Sequence, residues 1–214
     1  MDHYSKYFLE RKSFPVGRSK IDENILSNLN KIIKEKSYFE FLATIENGGL
    51  FFKQSLQLYC VTSSNDFMDI EHVNQVLNKE YGPLFENLLS FGQDIFGNQF
   101  AFDLANQKVI SFNCETGEKN FLADNFKDWL AVLFNDFAFY TGVTYAESWL
   151  EKNNIELGQR LVPIKPFVIG GDYSIDNFYT LDFPKYLTYN ADIAKQIFNL
   201  KDGEKVKITY TKPL

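Results

Sequence analysis

The sequence predicts an α+β fold: a mostly antiparallel central sheet packed with helices, followed by a C-terminal extension. Three observations predict it. Strand-like segments at about 86–92, 98–104 and 108–113 succeed one another through short connections, which suit antiparallel neighbours. Helix-period segments flank them on both sides. After Asn153-Asn154 the texture changes, and Pro163, Pro166 and Gly170-Gly171 punctuate a loop-rich stretch. The expected organisation is therefore a tail over 1–20, an α+β domain over 21–153, and an extension over 154–214 packed on the same domain.

The elements follow in order. Residues 1–20 read as polar and irregular, broken by Pro15 and Gly17. A helix should begin near Asp22, where Ile25, Leu29, Ile32 and Ile33 recur at helical spacing. A second should start at Ser37, because Ser37-x-x-Glu40 is a capping-box pattern. It should stop at Glu46-Asn47-Gly48-Gly49, where glycine accepts the conformation that ends many helices. Ser55–Val61 alternates as a strand. Ile70, Val73, Val76 and Leu77 mark a helix ended by Gly82-Pro83.

In the central strands Phe100, Phe102 and Leu104 share one face, while Gln99, Ala101 and Asp103 share the other. Ala105-Asn106-Gln107 reads as a short hairpin connection, and the third strand ends in a turn around Glu115–Glu118. The clearest helix follows, capped by Asp124 or Asn125, with Phe126, Trp129, Leu130, Leu133 and Phe134 forming an apolar stripe. Thr144-x-x-Glu147 predicts another helix start. A helix near 191–199, a turn at Asp202-Gly203 and a strand through Val206, Ile208 and Tyr210 complete the reading.

Composition restricts function. Apolar residues make up 45% of the 214, enough for a packed core. The 22 phenylalanines read as core filling in place of Leu and Val. The net charge of −6 disfavours direct binding to a phosphate backbone and favours a basic protein partner. Cys60 and Cys114 sit in apolar strand patterns and read as buried thiols. No run of about 18 apolar residues could cross a membrane. The polar start, Met1–Lys6, lacks a signal-peptide core, so a cytoplasmic location is expected.

Catalytic and metal signatures do not emerge. The two histidines, His3 and His72, have no Cys or second His at metal-ligand spacing. No nucleophile elbow, phosphate loop or dinucleotide fingerprint occurs. Asp94, Asp103 and Glu115 could be imagined as paired catalytic carboxylates. Their positions on the polar face and in loops favour solvated side chains instead. The expectation is a protein with no catalytic residues, no metal and no cofactor.

Four features together carry a resemblance. They are the Asn47-Gly48-Gly49 turn after a helix, the strand ending in Phe91-Gly92, the Gly97–Leu104 segment, and the helix opening Asn125-Phe126-Lys127-Asp128-Trp129-Leu130. Their order and spacing over about 22–150 resemble the SUKH superfamily, which includes fungal cell-wall assembly regulators and bacterial immunity proteins. The stretch Lys165–Phe178, with Ile193–Ile197 and Asp202–Val206, is similar to a tail on some bacterial members.

The resemblance implies a non-catalytic immunity protein that binds a cognate toxin, often a nuclease, made by the same cell. The alternative it carries is a regulatory or scaffolding protein. Acidity places the expected contact surface on the polar strand face and loops: Asp94, Asn98, Gln99, Asp103 and Glu115, with Glu46 and Asn47 nearby. Gly48, Gly49, Gly92, Gly97 and Trp129 read as structural. The toxin, the oligomeric state and any role of the extension in binding stay open at this stage.

Overall fold

The structure, a computed structural model, describes residues 3–13, 20–200, 204 and 207–210. Helices α1 (His3–Glu10), α2 (Glu23–Ile32) and α3 (Lys36–Thr44) precede strands β1 (Gly49–Phe51) and β2 (Leu56–Leu58). Helix α4 (Ile70–Tyr81) leads to β3 (Leu88–Gln93), β4 (Gln99–Asp103), β5 (Val109–Phe112) and β6 (Lys119–Ala123). Then come α5 (Phe126–Asn135), α6 (Phe137–Thr141), α7 (Val143–Leu150), β7 (Gln159–Pro163), β8 (Phe178–Asp182) and α8 (Lys185–Ile197). Among the described residues, β1 to β6 form one antiparallel sheet in sequential order, and β7 pairs with β8 in a separate two-stranded sheet. The α+β class with an antiparallel sheet is as the sequence predicts.

Local chemistry sets the helix starts. The Asp22 carboxylate accepts from the amides of Asn24 (3.0 Å) and Ile25 (3.2 Å), which opens α2. Asp69 does the same for α4 through Glu71 and His72. At α5, Asn125 Oδ1 accepts from Asp128 N (2.9 Å) and Asn125 Nδ2 donates to the Asp128 carboxylate (2.7 Å).

Two predicted capping boxes are not used. Helix α3 begins at Lys36, and Ser37 Oγ donates to the Glu35 carboxylate. That carboxylate also accepts from Phe126 N, tying the start of α3 to the start of α5. Helix α7 begins after left-handed Gly142, and the Thr144 side chain does not cap it. At α3 a tertiary contact overrides the local pattern, and at α7 the left-handed Gly142 sets the start instead.

Several elements differ from expectation. Residues His3–Glu10 form helix α1 rather than an irregular segment, and Phe8 is fully buried. Its ring meets Phe41, Phe51, Phe52 and Phe134 at 4.9–5.8 Å. Strands β1, β6, β7 and β8 and helix α6 are not among the predicted elements; each is short and lacks a sustained alternation or stripe. Helix α8 starts at Lys185 instead of near 191. Lys207–Tyr210 form no strand, while Val206 and the Asp202-Gly203 turn lie outside the described residues.

One face of the sheet is aromatic. Phe91, Phe100, Phe102, Phe126 and Trp129 are buried together with Tyr38 from α3. Phe91 meets Trp129 edge-on at 4.9 Å, and Tyr38 meets Phe102 at 5.3 Å. Such pairs add about 0.5–1.5 kcal/mol each beyond burial. The strands approach closely at Gly92, where a Cβ would lie 2.5 Å from Gln57 O. Gly48, in a left-handed conformation (φ +82°), would carry its Cβ 2.6 Å from Leu58 O.

Replacing Phe8 by Ala should cost about 3–5 kcal/mol, the range for a large aromatic side chain lost from a core. Urea unfolding measures it. A loss below about 0.5 kcal/mol would show that α1 is not part of the cooperative core.

Candidate functional site

The second face of the sheet is polar and buried. The register sets Gln57 opposite Gln93 and Gln93 opposite Gln99, a row of amides across β2, β3 and β4. None is more than 1% exposed. Gln99 Oε1 accepts from Tyr59 Oη (2.7 Å) and Ser90 Oγ (2.8 Å). Gln93 lies 2.9 Å from Gln57 Oε1 and 2.9 Å from Tyr186 Oη.

Arg160 of β7 enters this row fully buried. It donates to Gln57 Oε1 and to the carbonyl of Gln159. With the Gln93 amide oxygen turned toward it, its Nε and Nη2 lie 3.2 and 3.3 Å from that oxygen. Burial lowers the Arg160 pKa, opposed by the fields of Tyr186, Tyr59 and Asp94.

The β3–β4 loop is built on Asp94. Its Oδ1 accepts from the amides of Phe96 (2.8 Å) and Asn98 (2.9 Å), and its Oδ2 from Asn98 Nδ2 (2.8 Å). Asn98 Oδ1 in turn accepts from Cys114 N (3.1 Å), which joins this loop to the β5–β6 turn. Glu115 in that turn accepts from Val168 N (2.7 Å), which anchors the loop between β7 and β8.

Burial pushes the Asp94 carboxyl up to about 6, against the pull of its Asn98 and Phe96 hydrogen bonds. Burial likewise raises Glu115 to about 7, against its bonds from Val168 and Phe167. Neither carboxylate forms an ion pair with a described Lys or Arg.

A cleft of about 560 Å³ opens where the ends of β4, β5 and β6 face α6 and α7. Asp94, Asn98 and Ser111 contribute polar groups, and Phe96, Phe139 and Tyr145 contribute rings. A smaller recess of about 80 Å³ holds Glu115 and shares Phe96, Asn98, Asn113 and Tyr173 with it. Phe167 stacks on Tyr173 at 4.1 Å with planes 13° apart, and Tyr145 lies 5.7 Å from Tyr173. Phe139 is 75% exposed and Tyr173 54%, which leaves ring surface open to a partner.

The sequence-predicted surface is divided by the fold. Asp94 and Asn98 come together at the cleft, and Glu115 in the adjoining recess. Gln99 joins them in chain but is buried within the amide row. Asp103 stands at the other end of β4, opposite Leu88, where it closes the β4–β5 connection through Ala105 N and Asn106 Nδ2. Asn47 is buried, with its amide bonded to both the N–H and the carbonyl of Val61. Glu46 is exposed and pairs with Lys12 at 3.7 Å.

The expectation of solvated side chains therefore fails for Asn47, Asp94, Gln99 and Glu115, each of which sits where it satisfies buried backbone or amide groups. Gly49 opens β1, Gly97 packs on the Tyr186 ring, and Trp129 is fully buried. Arg160, Phe139, Tyr145 and Tyr173 were missed. Only the run Phe137–Tyr140, apolar beyond what one helix face needs, signalled any of them. Among the described residues no cluster of three His, Cys, Asp or Glu side chains could hold a metal. No described helix is long and apolar enough to cross a membrane.

Compared with known families, residues 35–132 match the SMI1 / KNR4 family (SUKH-1). No curated protein sequence matches the chain. Among solved structures, the crystal structure of Atu4351 from Agrobacterium tumefaciens is similar, with a TM-score of 0.55 and 16% identity. The likeness covers 89% of this chain and 88% of that one, and at this identity it bears on the fold alone.

Two predictions follow from the buried groups. Between about pH 4 and 7 the folded chain binds more protons at Asp94 and Glu115 than the unfolded chain does, so these groups make stability fall as pH rises. Glu115→Gln should gain on the wild type by on the order of 2 kcal/mol between pH 5 and pH 8. Urea midpoints at the two pH values decide it, and a pH-independent difference would refute it. Arg160→Ala should cost about 3–5 kcal/mol, because Gln57 and Gln93 lose their buried donor and the layer loses its packing. Thermal unfolding of that variant is the check.

Proposed function

We propose, from the match of residues 35–132 to the SMI1 / KNR4 family (SUKH-1), that the chain is an immunity protein that neutralises a cognate toxin by stoichiometric binding in the cytoplasm. It acts as a binding partner and not as a catalyst. SUKH proteins are commonly protein-binding modules, and the net charge of −6 suits a basic partner such as a nuclease toxin.

The observation that carries the reading is the mouth of the cleft. Exposed aromatic rings beside acidic and amide groups are the composition of interface hot spots, where buried aromatic anchors supply most of the binding energy. Phe139 and Tyr173 serve as anchors, and Asp94, Asn98 and Glu115 shape the cleft between them. Glu46 and Asp103, away from the cleft, contribute at most long-range attraction.

The test uses the full chain and the protein encoded by the adjacent gene. Phe139→Ala and Tyr173→Ala should each weaken binding at least tenfold, about 1.4 kcal/mol, with unchanged circular dichroism. Charge reversal at Asp103 should leave affinity within about twofold at physiological salt. Recovery of several housekeeping proteins and no toxin would favour the regulatory or scaffolding alternative.

A further inference from the structure

We infer that the cleft is a recognition site for one arginine side chain, presented by an extended segment of a basic protein partner. The inference rests on the binding role above and specifies the chemistry of contact. Its first support is a pair of buried carboxyls that are hydrogen-bonded to amides but have no cation in ion-pair contact among the described residues. Buried carboxylates are ordinarily paired with a cation or a metal, since desolvating an isolated charge costs several kcal/mol. Asp94 and Glu115 are each only 6% exposed, and neither meets a described Lys or Arg within ion-pair distance. Arg160 acts on Asp94 only through its field, and its guanidinium is turned into the amide row. Among the described residues no Lys or Arg lines the cleft or its recess.

The second support is the walls. Tyr173, stacked on Phe167 and half exposed, offers a flat ring beside the recess that holds Glu115. Tyr173 joins the two acids, because it lines both the cleft with Asp94 and the recess with Glu115. A planar cation can stack on such a ring while its N–H groups face a carboxylate. A lysine ammonium is compact and strongly hydrated, so it gains less from the flat wall. An anion is repelled by the two acids. An apolar ligand would cover the polar edge at Asn98, Asn113 and Ser111 without bonding to it.

The deciding experiment titrates the isotope-labelled full chain with N-acetyl-arginine methylamide and with its neutral citrulline counterpart, following amide shifts by nuclear magnetic resonance. The arginine compound should shift Phe96, Asn98, Asn113 and Tyr173 saturably, and the citrulline compound should bind at least tenfold more weakly. Tyr173→Ala and Glu115→Gln should each weaken the arginine compound at least fivefold, while Glu118→Gln on the exposed turn should not.

Equal affinity for the two compounds overturns the inference, as do shifts spread over the whole acidic surface or indifference to both cleft variants. The outcomes separate it from the immunity reading. A chain that refuses arginine yet captures a toxin leaves immunity standing without this site. A chain that binds arginine in the cleft yet captures no toxin leaves the site without that function.

Discussion

The structure depends on the row of amides at Gln57, Gln93 and Gln99. A sheet with one aromatic face is ordinary, but here the other face is buried as well, and its side chains are polar. Each of those groups left unbonded would cost about 1–3 kcal/mol. The network of Tyr59, Ser90, Tyr186 and Arg160 satisfies them. It also fixes register, because a one-residue slip of β3 or β4 would carry glutamines onto the aromatic side.

That requirement gives the C-terminal segment its place. Arg160 and Tyr186 lie beyond the matched family segment, 35–132, yet they complete the polar face of strands inside it. Buried Tyr186, Leu187, Ile193 and Ala194 of α8 add apolar cover beside them. The segment after Asn154 is thus bound to the sheet by specific polar bonds as well as by apolar burial. Its β7–β8 loop also supplies Tyr173 to the cleft and Phe167 and Val168 to the adjoining recess, so cover and candidate site are parts of one arrangement.

Asp94 and Glu115 show the tension in that arrangement. Each organises backbone amides, Asp94 within the β3–β4 loop and Glu115 across to Val168. Each also suffers desolvation that its hydrogen bonds do not cancel, as the raised pKa values record. That desolvation weakens the fold near neutral pH, and a cation in the proposed arginine site would relieve it. The aromatic layer on the opposite face, with Phe91, Phe102 and Trp129 fully buried, supplies the rigidity that tolerates it.

The sequence by itself determined the α+β class, the three central strands, and helices α2, α4 and α5. It did so because alternation of Phe100 and Phe102, the stripe through Trp129, and helix starts near Asp22 and at Asp124 or Asn125 are local signals. It also placed the Asp94 loop and the Glu115 turn as points of interest. Only the tertiary structure decided what covers the polar face. Period two shows that Gln99 and Phe100 point opposite ways, but not that Arg160, 103 residues from Gln57, will close over the glutamines. A glutamine facing water and one facing a buried guanidinium look alike in sequence. Burial is a property of distant segments meeting, and that meeting also made Asp94 and Glu115 cleft residues and left Asp103 at the far end of its strand.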